Sequence, residues 1–139
     1  MRRITLLLIA LAFAGLSCSN GASADGDWVL DVLEIDGVAA PLPNAPIDLQ
    51  ITASEFNGSA GCNSLGGSAS FGSDGSLTID EAFWTEMACM PTSLMDFESA
   101  YTSALLQAET WAVTDYLDDG KRLTFRGPGV AVFYLPRTP

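Results

Sequence analysis

Apolar and polar side chains alternate along most of this chain, and a period of two is the pattern of a β-strand with one buried face. The clearest run places Ile47, Leu49 and Ile51 on the same side of a strand. Glycine, asparagine and aspartate separate such runs, as tight turns between antiparallel strands require. We therefore predict a mainly β domain over residues 27–136, in which about eight strands form a curved antiparallel sheet or a small barrel.

One stretch breaks the alternation and has the spacing of an α-helix. Its apolar residues recur every three or four positions and form one stripe, made of Leu94, Phe97, Tyr101, Leu105 and Ala108. Ser93 has a side chain suited to capping the first turn, and Asp96 and Glu98 bring negative charge to the positive end of the helix dipole. The sequence thus predicts one α-helix over residues 93–108.

Some shorter stretches require a choice between alternatives. Asn57-Gly58 suits a hairpin turn, but it follows the preceding strand so closely that we predict a continued strand there. Residues 83–89 are predicted to be extended. Four aromatic side chains are expected to fill the core, with the lining of an apolar cavity as the alternative: Trp28, Phe83, Trp84 and Trp111.

The first residues have the pattern of an export signal. Two arginines precede a thirteen-residue apolar run at 4–16, which is too short to be a comfortable membrane anchor. Small residues before Cys18 resemble a bacterial lipobox, and this predicts a lipoprotein signal peptide over residues 1–17 with lipid attached to Cys18. The alternative is an ordinary signal peptide over residues 1–24, cleaved after Ala22-Ser23-Ala24.

A lipid on Cys18 would anchor the protein in a membrane. Resemblance to Gram-negative lipoproteins favours the outer membrane, with the domain facing the periplasm, because Ser19 rather than an aspartate follows the cysteine. Residues 18–26 would form a flexible tether. With the ordinary signal peptide, the protein would instead be soluble in the periplasm or secreted.

Histidine is absent from all 139 residues, which excludes Ser-His and Cys-His catalytic pairs and histidine metal ligands. The formal net charge of −11 disfavours nucleic acid as a partner. Adjacent carboxylates at Asp80-Glu81 point to opposite faces of a strand and form no catalytic dyad. Three acids could bind Ca²⁺, with solvated turn carboxylates as the alternative: Asp115, Asp118 and Asp119. We expect a monomer with no enzymatic activity, cofactor or bound metal.

Two cysteines remain once Cys18 is assigned to the lipid. In an oxidising compartment Cys62 and Cys89 are expected to form a disulfide. Two buried free thiols, packed as small apolar groups, are the alternative.

Two motifs before the predicted helix carry a family resemblance: Gly61-Cys62-Asn63-Ser64 and Thr85-x-Met87-Ala88-Cys89. Together with Glu98-x-x-Tyr101 inside the helix, they are similar to the META domain, also called the HslJ-like family of bacterial lipoproteins and secreted proteins. The resemblance spans about residues 27–135. It departs from the family at Leu65 and Ala69, where aromatic side chains are common, so an aromatic binding patch is not carried over.

The resemblance implies a lipocalin-like, mostly antiparallel β fold with one helix. It implies a structural role for Gly61, Asn63, Thr85 and Met87 beside the two cysteines, and it brings no catalytic residue. Members of the family are associated with stress tolerance. We therefore expect a non-enzymatic envelope lipoprotein domain, related to stress or envelope maintenance, that binds an unidentified protein partner. The alternative is a small carrier of an apolar ligand inside a lipocalin-like barrel.

Overall fold

The computed structural model describes residues 22–118 and 120–139. Within these residues there are nine strands and one helix. Their bounds, in chain order, are β1 Gly26–Ile35, β2 Val38–Ala39, β3 Asp48–Thr52, β4 Glu55–Ser59, β5 Ser64–Phe71, β6 Leu77–Trp84, α1 Thr92–Leu106, β7 Thr110–Tyr116, β8 Gly120–Gly127 and β9 Val130–Pro136.

The strands form one antiparallel sheet in the order β6-β5-β4-β3-β1-β9-β8-β7, with β2 paired to the end of β1. The sheet curls into a half-barrel, which confirms the predicted fold class. Its two edge strands, β6 and β7, come together at one end only. There Ser76 bridges Thr110, and the Leu77 N–H donates to the Glu109 carbonyl at 2.8 Å.

The core lies between the concave face of the sheet and α1. Leu33, Leu123 and Val132 are fully buried on the sheet side. Tyr101 from α1 and Tyr134 from β9 are also fully buried, and their hydroxyl oxygens are 2.8 Å apart. Burial raises the pKa of both tyrosines, because a phenolate there would lose its hydration. The pair therefore stays neutral and mutually hydrogen-bonded.

The predicted helix is present, but its ends differ from the prediction. Pro91, not Ser93, occupies the N-cap position, and no side chain caps the first turn. The backbone of Pro91 is extended, so the helix begins at Thr92 and Ser93 falls inside it. The predicted placement of Asp96 and Glu98 at the helix start is wrong, since the first turn contains no acidic residue.

Other sequence predictions have mixed outcomes. Asn57-Gly58 lies inside β4, as predicted, and a Cβ at Gly58 would lie 2.0 Å from the Asp48 carbonyl oxygen. Only glycine permits that close pairing with β3. Of residues 83–89, which are predicted to be extended, Phe83 and Trp84 belong to β6, and residues 85–89 lie in the loop that follows it. Trp28 is buried as expected, whereas Phe83 and Trp84 do not fill the core and are exposed.

The folded domain begins slightly before residue 27, where the sequence predicted its start. Ala24 is buried in the core, and its carbonyl accepts the indole N–H of Trp28 at 2.9 Å. The predicted signal peptide and the lipidation residue Cys18 lie outside the described residues. The described residues contain one helix, α1, which is neither long nor apolar enough to cross a bilayer.

Candidate functional site

A disulfide joins two distant parts of the chain beside the start of α1. Cys62 lies in the turn between β4 and β5, Cys89 lies in the loop after β6, and their Cα atoms are 6.1 Å apart. The structure thus contains the disulfide rather than two free thiols. Gly61 precedes it with φ +117, and a Cβ there would lie 2.8 Å from Cδ1 of Leu94. Glycine lets the first turns of the helix pack directly onto this turn.

Asn63 connects the turn to the loop after β6 through its side-chain amide. Its Oδ1 accepts the backbone N–H of Met87 at 2.7 Å and the hydroxyl of Thr85 at 2.9 Å. Its Nδ2 donates to the Met87 carbonyl at 3.2 Å. Asn63 is almost fully buried, so these bonds are shielded from water. One side chain therefore fixes the path of the backbone through residues 85–87.

Glu98 completes this hydrogen-bond network from inside α1. Its Oε2 accepts the backbone N–H groups of Asn63 at 2.6 Å and Cys62 at 3.1 Å. Its Oε1 accepts Nδ2 of Asn63 at 2.5 Å. Only 7% of Glu98 is exposed. A buried carboxylate with three N–H donors is an expensive arrangement that becomes favourable when every oxygen is bonded.

We name residues 61–64, residues 85–89 and Glu98 the polar corner. It brings together all the motif residues singled out in the sequence, namely Gly61, Cys62, Asn63, Thr85, Met87 and Cys89. Sequence reasoning assigned Glu98 to the helix dipole and missed its contact with the turn. The contact could have been suspected from the position of Glu98 on the buried apolar face of the helix, four residues after Leu94 and three before Tyr101.

A groove of about 360 Å³ lies between the polar corner and α1. The loop side of the groove is formed by Trp84, Thr85 and Met87, and the helix side includes Met95, Glu98 and Ser99. This volume is in the range of small-molecule sites, which is about 300–1,000 Å³. The groove is therefore large enough for a small ligand or for a side chain of a partner.

A second, purely apolar space lies within the half-barrel under β6 and α1. Its volume is about 20 Å³, which is room for roughly one water molecule. Exposed apolar side chains lie at its mouth and along the adjoining groove, and together they form what we name the apolar rim. Phe83 is 64% exposed, Met87 55%, Leu106 50% and Trp84 43%. The interior is thus closely packed, while its mouth presents large apolar side chains to solvent.

The cations of the described residues lie away from both features. Arg122 pairs with Asp31 at 2.5 Å and stacks on Tyr116 and Phe133, and Arg137 pairs with Asp48. Over residues 22–118 and 120–139, no lysine or arginine lines the groove, whereas Glu86 and Glu98 do. The described lining of the groove is therefore acidic.

Two of the carboxylates considered for catalysis or calcium binding have side-chain partners of their own. Asp80 accepts the hydroxyl of Ser70 at 2.7 Å, and Asp115 pairs with Lys121 at 2.5 Å. That pairing lowers the pKa of the exposed Asp115 carboxyl. Asp119 lies outside the described residues. Over residues 22–118 and 120–139, no three acids, cysteines or histidines come together as metal ligands.

Comparison with known proteins gives two matches. The sequence model of one family, described as META domain, matches residues 22–137. The solved NMR structure of a protein from Burkholderia xenovorans is similar, with 29% sequence identity, coverage of 83% of each chain and a TM-score of 0.68. No curated protein matches the chain.

Proposed function

This chain belongs to the META domain family, and on that premise we propose that it is a non-enzymatic, lipid-anchored interaction module of the cell envelope. Its role is envelope maintenance or resistance to stress. The domain presents the apolar rim to a protein partner, and the lipid on Cys18 places it on the outer membrane, facing the periplasm.

The contact made by Ala24 supports the lipid anchor over the ordinary signal peptide. Cleavage after Ala24 would remove a buried core residue and leave the Trp28 indole N–H without its carbonyl acceptor. An unpaired buried donor costs about 1–3 kcal/mol. Cleavage before Cys18 keeps this contact. The geometry therefore favours a mature chain that begins at Cys18.

Mass spectrometry of the mature N-terminus tests the anchor. We expect a peptide that begins at Cys18 and carries the mass of acyl chains, and C18S should abolish both the acylation and membrane association. A mature protein that begins at an unmodified Asp25 would contradict the proposal.

The apolar rim is the observation that supports partner binding. Four large apolar side chains exposed at one place are unusual on a soluble monomer, and such patches commonly mark contact surfaces. The disulfide and the bonds of Asn63 fix the loop that carries Met87. A rigid apolar surface loses little conformational entropy on binding.

The carrier alternative has less support. An apolar ligand needs an enclosed space of a few hundred Å³, and the apolar interior offers about 20 Å³. Leu65 and Phe56, together with residues of β3 and β6, fill the half-barrel around it. We therefore do not propose a lipid-carrying function.

Site-specific photo-crosslinking in intact cells tests the partner surface. A photoreactive amino acid replaces Phe83 in one strain and Leu106 in another, and the matched controls carry it at Val38 and Leu42, which are exposed apolar residues away from the rim. We expect one discrete protein adduct from both rim positions and none from the controls. The same adducts from all four positions, or none from the rim, would refute the proposal.

A substitution separates binding from folding. Phe83 is largely exposed, so F83S should change the free energy of unfolding by less than about 0.5 kcal/mol. The same substitution should abolish the adduct formed from position 106. An adduct of unchanged yield would show that Phe83 is no part of the partner surface.

A further inference from the structure

We infer that the groove between the polar corner and α1 is a binding site for an aliphatic primary ammonium group. The inference goes beyond the proposed partner surface, because it concerns a charged ligand in the groove, although the groove shares Trp84 and Met87 with the apolar rim. Its supports are the volume of the groove, an acceptor with spare capacity, and the sign of the surrounding charge.

The groove combines apolar walls with one buried acid. Trp84, Met87 and Met95 form walls that suit an alkyl chain, and Glu98 lies on the same lining. The alkyl chain of an alkylammonium ion would thus contact the apolar walls, and its ammonium group would contact the Glu98 carboxylate. A volume of about 360 Å³ accommodates a short chain of this kind.

Glu98 retains room for one more donor. A carboxylate accepts about four hydrogen bonds, two at each oxygen. Among the residues that the structure describes, two backbone N–H groups donate to Oε2, and the Asn63 amide is the one donor to Oε1. The free acceptor position on Oε1 therefore matches an N–H donor supplied by a ligand, and hydrogen bonds to charged groups are the stronger ones.

The surrounding charge favours a cation. Glu86 flanks the groove, and no described residue of the lining is a base. All four positive side chains after residue 21 lie at positions 121–137, three of them in ion pairs on β8 and at the end of β9. A carboxylate or phosphate ligand would find no cationic partner here. An ammonium ion, by contrast, is attracted both by the buried acid and by the overall net charge of −11.

A series of ligands with one chain length tests this chemistry. Purified, disulfide-intact protein labelled with ¹⁵N is titrated with hexylammonium, hexyltrimethylammonium and hexanol. We expect hexylammonium to shift the amides of residues 84–88 and 95–102. The other two ligands lack either the N–H donors or the charge, so we expect them to bind at least about tenfold more weakly. A capped lysine tripeptide is titrated alongside, and the tighter of the two amines identifies whether the source is a small molecule or a protein side chain.

A matched pair of helix variants locates the site. Ser99 lines the groove and is exposed, so S99W fills the groove without disturbing the core. Ser93 is an equally exposed serine of α1 that does not line it, so S93W is the control. We expect S99W to abolish the hexylammonium shifts and S93W to leave them unchanged.

Three results would overturn the inference. They are no amide shifts with millimolar hexylammonium, equal affinity for hexanol, or unchanged binding by S99W. None of them bears on crosslinking from positions 83 and 106, because Phe83 and Leu106 do not line the groove. Failure here and failure of the partner proposal are therefore distinguishable.

Discussion

The apolar interior and the two buried polar side chains of the polar corner, Asn63 and Glu98, are stabilised by different forces. Around Leu33, Leu123 and Val132 the side chains are apolar, and the polar groups of the described core form isolated pairs, such as the hydroxyls of Tyr101 and Tyr134. In the polar corner, Glu98 and Asn63 are buried through directed hydrogen bonds to the backbone, and a disulfide crosses the same place. The stability of the interior thus depends on how fully its volume is packed, and that of the polar corner depends on hydrogen-bond geometry.

This contrast predicts different responses to mutation. Packing defects in the interior should lower overall stability and leave the path of the chain intact. Loss of an acceptor in the corner should leave one or two backbone donors unpaired, those of Cys62 and Asn63 for Glu98 or that of Met87 for Asn63, and so loosen the corner locally. Four measurements test this difference between the interior and the polar corner.

Removal of the disulfide should have the largest effect. For a sequence separation of 27 residues, the chain-entropy relation predicts that C62S/C89S lowers the free energy of unfolding by about 3.5 kcal/mol in urea titrations. Asn63 and Glu98 still fix the loop in the folded state, so amide exchange at Met87 should remain slow. Fast exchange at Met87 would mean that the disulfide alone orders the corner.

A core truncation should follow closely. Leu123 is fully buried, and L123A should lower the free energy of unfolding by about 3 kcal/mol through lost burial and a residual cavity. Amide chemical shifts in the polar corner should not change. The exposed Leu117 provides the control, and L117A should cost less than about 0.5 kcal/mol. A loss in L123A no larger than in L117A would contradict the packing described here.

A single-atom change in the corner should cost less but act locally. E98Q replaces one accepting oxygen with an amide nitrogen that cannot accept, and we expect a loss of about 2 kcal/mol. Amide exchange at Cys62 and Asn63 should become faster. E86Q, at an exposed position on the groove, is the matched control. If E98Q is as stable as E86Q, the network contributes nothing net.

The tyrosine pair predicts a dependence on alkaline pH. Burial raises the folded-state pKa of Tyr101 and Tyr134, whereas both titrate near pH 10 in the unfolded chain. Their contribution is therefore complete below about pH 10. Above it the unfolded chain releases protons that the folded protein keeps, so stability falls by about 1.4 kcal/mol per pH unit for each tyrosine. Urea midpoints across pH 9–11 measure this slope, and Y101F/Y134F should flatten it; an equal slope would contradict the assignment.

The sequence predicted the elements in which apolar residues recur at a regular spacing. Alternation located β3 around Leu49 and Ile51, and helical spacing placed Phe97, Tyr101 and Leu105 on the buried face of α1. These predictions succeed because each depends on neighbours within a few residues. The two-residue strand β2 has too short a pattern to be recognised in this way.

The candidate site escaped prediction because its bonds are distant in sequence. Glu98 contacts backbone groups 35 and 36 residues away, and backbone N–H groups leave no trace in residue identity. The helix begins at Thr92 rather than after Ser93, because Pro91 occupies the N-cap position. The proline ring fixes its φ angle near the value found there, so no serine is needed to end the extended segment. Phe83 and Trp84 are strongly apolar, and composition alone could not distinguish an exposed rim from a filled core.

Incomplete closure of the half-barrel leaves backbone groups unpaired along the outer sides of β6 and β7, beyond the bridge between Ser76 and Thr110. Unpaired strands of this kind are where protein chains stack into fibrils. Asp80 and Glu81 lie on β6, so copies that approach each other along this strand bring like charges together. We expect this acidity to oppose the edge-to-edge association of copies.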